Sequence, residues 1–589
     1  MKKNPFTAAL DIVSDILKWC CIVIMAFLIV AVAVQVIARR VLNNPTSWSE
    51  PLSQISFIWL TVFGCTVVVR DRNALNVDLL QNHLKGRAYY TLQLVCDLIS
   101  IAVSAFWMYS SLLQVTNTWA IFEGGLKIRR GVIYIGIVFS FGMMCLFQLS
   151  NAVQSVISLV RGDKEPKKKE EGEATVLIAF LVIMFLGVPL ALAMGAAGLI
   201  GLGNLNIVVM AQQLFVGLNS FTMIAIPLFI FMGNLMTDSG LTEKLINFCN
   251  SLFGRFKGGL GIVSIAAGAF FAAISGSAVA STASLGSILI PALKKEGYGS
   301  GFSGAIIAAA GSLGPIIPPS ILLVIYGCQT GLSIGDLFMA GVTPGILSAI
   351  TFILVVRITA SKRNFPKHEA CSARQIGSSF VTALPALMIP VIIVVGITAG
   401  IFTVTESAGI VTIYALIFCL IKKVPFSKMN SSLVSAIKET ANVCMVIGAS
   451  SFLAYILTRL QLPQTIVQFI TDMQVSKFVL LILINIFLLI MGMLMAPAAA
   501  MIIAIPLLLP LAQTYNIDLI QFGLLVVFNL NLGILTPPVA VSLFMTARMT
   551  NTSFATQVKE ALPFLAISFI VLILITYVPG FCTWLPHLL

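Results

Sequence analysis

Long apolar stretches, each about as long as a bilayer crossing, alternate with short polar joints along most of the chain. Near the N-terminus four of them fall at roughly 19–38, 53–69, 92–113 and 131–158 by the twenty-residue criterion. They end at the one strongly charged run, Arg161–Glu173 (RGDKEPKKKEEGE), which reads as a solvated tether. Four crossings return the chain to its starting side, and the Lys-rich tether marks that side as cytoplasmic. The pattern predicts an all-α polytopic membrane protein with a four-helix block over 1–160, a charged linker over 161–175 and a large block over 176–589.

Basic residues in the large block gather at Lys244/Arg255/Lys257, Lys294/Lys295, Lys362/Arg363/Lys367/Arg374 and Lys422/Lys423/Lys428. With these clusters inside, two crossings separate the linker from Lys244, two separate Lys295 from Lys362, and two separate Arg374 from Lys422. Lys257 and Lys294 then share a side, yet the apolar run between them is too short to cross twice. Gly261–Leu293 is expected to enter and return as a re-entrant hairpin. Such a loop is tolerated only where protein or a wet cavity surrounds it.

Just beyond that hairpin stands GPIIPPSILL, Gly314–Leu323, with Pro315, Pro318 and Pro319 inside an apolar segment. Proline removes a backbone donor and clashes with the preceding turn, so this helix must break. The break has a twin: LGPIIPP (Leu313–Pro319) matches LGILTPP (Leu532–Pro538), an offset of 538 − 319 = 219. The same offset places Ser275–Ala278 on Leu494–Pro497 and predicts a second hairpin near Val479–Ala512. The large block is thus a duplication, with repeats about 176–360 and 403–585, and one extra crossing near Phe380–Ala399 inverts the second copy. Inverted repeats with interrupted helices are the architecture of secondary transporters.

Composition agrees. The 589 residues are 59% hydrophobic and only 10% charged, far below the charged share of a soluble domain. Lys2, Lys3 and Lys18 flank the first apolar run, but Trp19–Ala38 is long enough to span and reads as a retained first span. A net charge of +13 fits basic cytoplasmic loops rather than nucleic-acid binding, because the charges are scattered. The eleven Cys form no CxxC pair, and the three His (His83, His368, His587) lie far apart, so neither a zinc site nor a disulfide framework is expected. No Walker A or HExxH sequence is present, and no nucleophile–base set is apparent, which argues against an enzyme. A channel would want a ring of charged side chains, and none is visible.

The residues resemble a known family. NNPTSWSEPLSQISFIWLTVFGCTVVVRDRNALNVDLL (Asn43–Leu80) is similar to the small, Q-type membrane subunit of tripartite ATP-independent periplasmic (TRAP) transporters. FFAAISGSAVASTASLGSILIPAL, GSLGPIIPPSILLVIYG, GIFTVTESAGIVTIYAL, LTRLQLP and NLGILTPPVAVSLF resemble the large, M-type subunit. The resemblance covers nearly the full length and implies a fused Q–M protein of the bacterial inner membrane, with a cytoplasmic N-terminus. It implies an elevator mechanism, sodium as coupling ion with no other cofactor, and a periplasmic substrate-binding protein that delivers a small organic acid. A monomer is expected to suffice. A binding-protein-independent sodium/dicarboxylate symporter is the nearest alternative, and the fused four-span block speaks against it. Three positions depart from the family pattern: Pro51 stands where a second Glu is usual, Val404 replaces a usual Pro, and Ala496 replaces an acidic residue that faces the substrate cavity in well-understood members. The last argues against sialic acid as substrate.

Against this background the candidate residues can be named. Ser275, Gly276 and Ser277 at the first hairpin tip are either close-packing small residues or ion and substrate contacts, and their place beside a paired break favours the second reading. Gly314, Pro318, Gly533, Thr536 and Pro537 mark the two breaks. A hard cation wants oxygen and no carboxylate pair is available, so main-chain carbonyls beside both glycines and the Thr536 hydroxyl are the expected sodium ligands. Arg459 is either a snorkelling interfacial Arg or, as the resemblance implies, the grip on a substrate carboxylate; Ser277 and Ala496 complete the substrate candidates. Glu406 is expected to cap a helix start, and Glu50 to cap the second span with Trp48 at the interface.

Overall fold

The computed structural model describes residues 5–40, 42–44, 46–71, 87–123, 126, 128–161, 183–184, 186, 188–203, 205–537 and 540–588. The charged linker beyond Arg161, His83 and Pro538 lie outside them. Twelve helices among the described residues are long and apolar enough to cross a membrane. The only β-type pairing among them is an isolated bridge between Phe122 and Arg129. The chain divides into two compact units, one of residues 1–227 with 433–466, the other of 228–432 with 467–589.

The first unit starts with α1 (Pro5–Arg40), α2 (Ser49–Arg70), α3 (Arg87–Thr118) and α4 (Gly131–Arg161), which match the four expected spans. Small and polar residues lock them. Gly136 leaves room for the Trp59 ring, whose Nε1 donates to the Ile133 carbonyl at 3.2 Å. Thr66 and Ser140 hydroxyls pair at 2.6 Å. These are the interhelical bonds expected where lipid offers no competing partner.

Parts of the large block fold with them: α5 (Leu190–Ile200), α6 (Val208–Leu218) and residues 433–459. Ser110 on α3 donates to the Ile207 carbonyl at 2.7 Å and accepts from the Ala211 amide at 3.1 Å. Gly195 packs under Trp107, Gly64 against Ala441, and Lys438 pairs with Asp71 at the end of α2. The second crossing of the large block is not one helix. It runs as α6, a 3₁₀ turn Phe221–Ile224, and α7 (Ala225–Asp238), because Asn219 leaves helical geometry at ψ 62°.

The second unit carries the duplication. After α8 (Leu241–Phe253) come the hairpin arms α9 (Gly259–Ser275) and α10 (Ala278–Lys295), the interrupted pair α11 (Ser300–Gly311) and α12 (Ile321–Thr330), and the long α13 (Ile334–Arg363). Next are α14 (Ala373–Thr398), the extra crossing, then α15 (Val404–Ile421) and α16 (Phe426–Arg459), which runs on into the first unit. The second copy follows as α17 (Leu462–Asp472), hairpin arms α18 (Lys477–Leu494) and α19 (Pro497–Thr514), the pair α20 (Leu519–Gly533) and α21 (Val541–Thr550), and α22 (Phe554–Tyr577). A short α23 (Pro579–Leu588) ends the described chain. The return arms start 497 − 278 = 219 residues apart and the interrupted helices 519 − 300 = 219, so the offset read from two proline motifs holds for these elements of the two copies. The copies interlock: α10 packs on α21 and α19 on α12, each return arm meeting the other copy's second half-helix.

Burial distinguishes the two hairpins. In α9 every residue but Ala269 and Phe270 is buried, so it reads as apolar all round, as a helix enclosed by protein should. In α18 only one stripe (Leu480, Ile484, Leu488, Met491) faces inward among neighbours such as Phe478, Ile486 and Ile490 that are exposed and apolar. That is the pattern of a lipid-facing helix.

Candidate functional site

The first hairpin turns on three residues. Gly276 adopts φ +60°, a left-handed conformation that favours glycine. Ser277 is extended and its hydroxyl accepts from the Ala280 amide at 3.4 Å, capping α10. Ser275, buried, shares a 2.6 Å hydrogen bond with Ser281. The tip is pressed onto the first break. A Cβ on Gly276 would stand 2.6 Å from the Pro319 carbonyl oxygen, and one on Gly314 would stand 2.8 Å from the Ser277 carbonyl. Ser275, Gly276, Ser277, Gly314 and the Pro318–Pro319 segment therefore form one cluster.

The chemistry of that cluster follows from its prolines. Gly314 and Pro315 lose their usual helical donors, because residues 318 and 319 have no N–H. The Pro315 carbonyl instead accepts from the Ser320 hydroxyl at 2.5 Å, and Ser320 also caps α12. The break is thus lined by oxygen atoms freed from helical bonding, beside the negative end of α11.

The second hairpin is built differently. Met495 and Ala496 are extended, Pro497 starts α19, and no side chain caps it. Gly492 packs directly against Gly533, which leaves no room for a side chain at either position. Past Gly533 the chain leaves the helix. The Thr536 amide donates to the Gly533 carbonyl at 3.1 Å, and the Thr536 hydroxyl donates to Leu532 at 2.8 Å. That hydroxyl keeps its lone pairs available. Gly533, Thr536 and Pro537 cluster at this break.

Arg459 is not in this unit; it is the exposed last residue of α16, in the first. Glu406 is fully buried in a capping box: its carboxylate accepts from the Thr403 amide at 2.8 Å while Thr403 caps the Glu406 amide. Glu50 does not make the cap expected of it. Trp48 occupies the cap position with no side-chain bond, and Glu50 is exposed in the first turn, where it can act only through its charge on the helix dipole.

Sequence reasoning passed over a polar seam in the second copy. Asn529 donates to Asn485 Oδ1 at 2.7 Å, and Asn485 donates to Thr576 at 3.2 Å. It also passed over Asn531, whose amide donates to the Ser312 carbonyl at 2.6 Å. The offset could have found the second pair, since 531 − 312 = 219. Among the described residues no three His, Cys, Asp or Glu gather as for a transition metal. The oxygen-only donors at the breaks fit a hard monovalent cation.

Comparison with known proteins gives concordant matches. The family described as "Tripartite ATP-independent periplasmic transporter, DctM component" matches residues 177–581, and the corresponding DctQ component matches residues 8–157. The chain is similar to the sialic acid TRAP transporter permease protein SiaT of Haemophilus influenzae, with 30% identity over 94% of this chain and 96% of that protein. It is similar to the isethionate TRAP transporter permease protein DctMQ of Oleidesulfovibrio alaskensis, with 32% identity over 90% and 87%. It is also similar to the C4-dicarboxylate TRAP transporter large permease protein DctM of Vibrio cholerae, with 34% identity over 71% of this chain and 98% of that protein. The chain belongs to the tripartite ATP-independent periplasmic transporter family, as a multi-pass membrane permease in which the DctQ and DctM components are fused in one polypeptide.

Proposed function

We propose that this permease takes up a small organic acid, delivered by a periplasmic substrate-binding protein, by sodium-coupled elevator transport across the inner membrane, with its N-terminus in the cytoplasm. The observation that carries the reading is the repetition of a hairpin on a proline-broken helix at one offset. It supplies two sets of freed oxygens, as a coupled pair of ion sites would need. The relatives' named substrates (sialic acid, isethionate, C4-dicarboxylates) are all organic anions, which supports the substrate class. Sodium would supply the driving gradient.

The chain's own residues have separable tasks in this proposal. Ser275, Gly276 and Ser277 shape the first tip, and Gly314, Pro318, Gly533, Thr536 and Pro537 present oxygens at the breaks. Ser277 and Ala496 are the substrate contacts proposed within the second unit, and Arg459, in the first, is a separate candidate for gripping a carboxylate. The elevator reading is supported by the division of the chain, since both hairpins and both breaks fall in one compact unit. The four-helix block and the segments bound to it through Ser110, Gly195 and Asp71 fall in the other, as suits a static scaffold.

The test is uptake in proteoliposomes. Transport of the carboxylate should require both an inward sodium gradient and the cognate binding protein. Equal uptake in choline, or robust sodium-driven uptake without any binding protein, would refute the proposal. In the same assay Arg459→Ala should lower uptake by at least about a hundredfold, the consequence of removing one member of a charge pair that bound substrate would desolvate around this otherwise exposed residue. Arg459→Lys should restore only part, because a point charge does not replace the planar fork. Wild-type rates in Arg459→Ala would leave Arg459 as an interfacial anchor.

A further inference from the structure

Two helix C-termini meet where the repeats touch. Ser312 caps the C-terminus of α11, and Asn531 lies in the last turn of α20. They occupy equivalent positions, 531 − 312 = 219, so their contact lies on the axis relating the two copies. Asn531 Nδ2 donates to the Ser312 carbonyl at 2.6 Å. That bond fixes the amide's orientation, since the reverse would set oxygen against oxygen.

The other end of the amide is left over. Asn531 is 1% exposed, and its Oδ1 has no hydrogen-bond partner among the described residues. The nearby Ser312 hydroxyl is committed to the Ala309 carbonyl at 2.8 Å. A buried acceptor without a partner is costly and rare in native proteins. Its surroundings are also electronegative, because each helix C-terminus carries about half a negative charge. A neutral amide bridging two such ends does not compensate them, whereas a cation would.

We propose that Asn531 Oδ1 is a ligand of the coupling cation, held where the C-terminal ends of the two interrupted helices converge. The inference rests on the sodium-coupled reading. Asn531 would then act on both repeats at once: Nδ2 holds the freed carbonyl of the first break while Oδ1 holds the ion beside the second. An amide oxygen is an appropriate donor for a hard cation.

The experiment is a sodium titration of the purified full chain, read by thermal unfolding and paired with uptake in proteoliposomes, with choline and potassium as comparison cations. A cation that binds only the folded state raises the midpoint as its concentration rises. The wild type should show a sodium-specific rise. Asn531→Leu, similar in size but without the amide, should need about tenfold more sodium or greater for half the rise. Asn531→Asp keeps an oxygen for the ion but repels the Ser312 carbonyl. It should lower the midpoint in choline while leaving half-saturation near wild type. If Asn531→Leu yields no folded protein, Asn531→Ala is titrated and judged by the same criterion. An Asn531→Leu or Asn531→Ala protein that loses stability in choline but keeps the wild-type sodium half-saturation shows a purely structural or water-bound amide and overturns the inference, leaving sodium coupling intact. A wild type with neither a sodium-specific rise nor sodium-dependent uptake overturns the sodium-coupled reading and this inference together.

Discussion

Gly276 meets two separate demands. Its φ of +60° disfavours a Cβ, and the space a Cβ would fill is taken by the Pro319 carbonyl. Gly276→Ala should cost about 1–2 kcal/mol from the left-handed backbone alone. The contact with Pro319 adds to this and pushes the tip off the break. The expected outcome is a lower thermal midpoint together with uptake reduced more than stability explains. Gly297→Ala serves as the comparison, because Gly297 has φ +82° but nothing within 4 Å of its Cβ position. If the two variants lose uptake equally, seating of the tip on Pro319 is not important for transport. Gly276, Gly314 and Pro318 were legible in the sequence as the hairpin turn and the helix break, because proline and glycine mark backbone events. Asn531 was not, since a lone Asn in an apolar run gives no sign of whether its partner is water, a helix or an ion.

At the level of elements, the two hairpins are held by partly different chemistry. In the second copy Asn529 and Asn485 tie α20 to α18 through the Asn529 amide. The equivalent positions in the first copy, 529 − 219 = 310 and 485 − 219 = 266, are Ala310 and Ala266, both buried in close-packed surroundings beside Gly268. Close packing seats both hairpins, at Gly268 and Ala310 in one and at Gly492 and Gly533 in the other, and the second adds buried hydrogen bonds. Asn529→Ala removes those bonds and leaves Asn485 Oδ1 without that donor, a loss of about 1–3 kcal/mol. Thermal unfolding in matched detergent should show the drop, and an unchanged midpoint would show that the seam is not stabilising. Hairpins, breaks and the extra crossing could be inferred because each leaves a mark on charge parity or on the 219-residue offset. The short α8 and α17 could not, since helices of thirteen and eleven residues are too short to span and leave no parity signal. The division of the second crossing into α6, a 3₁₀ turn and α7 was equally hidden, because it needs no proline.

For the whole molecule, the compact units do not follow the charged linker. Residues 183–227 and 433–466 of the large block fold with the four-helix block, through contacts such as Lys438 with Asp71 that sequence alone cannot pair. What composition and charge predict is the topology, and the elevator reading depends on it. An elevator built from inverted repeats requires the two hairpins to open from opposite faces of the membrane. Arg255 and Gln474 give a direct test, since both are exposed, both lie just before a hairpin, and 474 − 255 = 219 makes them equivalent. In a background with the eleven native cysteines replaced, Arg255→Cys and Gln474→Cys should be labelled in intact cells and in inside-out vesicles with a membrane-impermeant maleimide. Inverted repeats require Gln474→Cys to react from the periplasmic side alone and Arg255→Cys from the cytoplasmic side alone; reaction of both from the same face would refute the inversion.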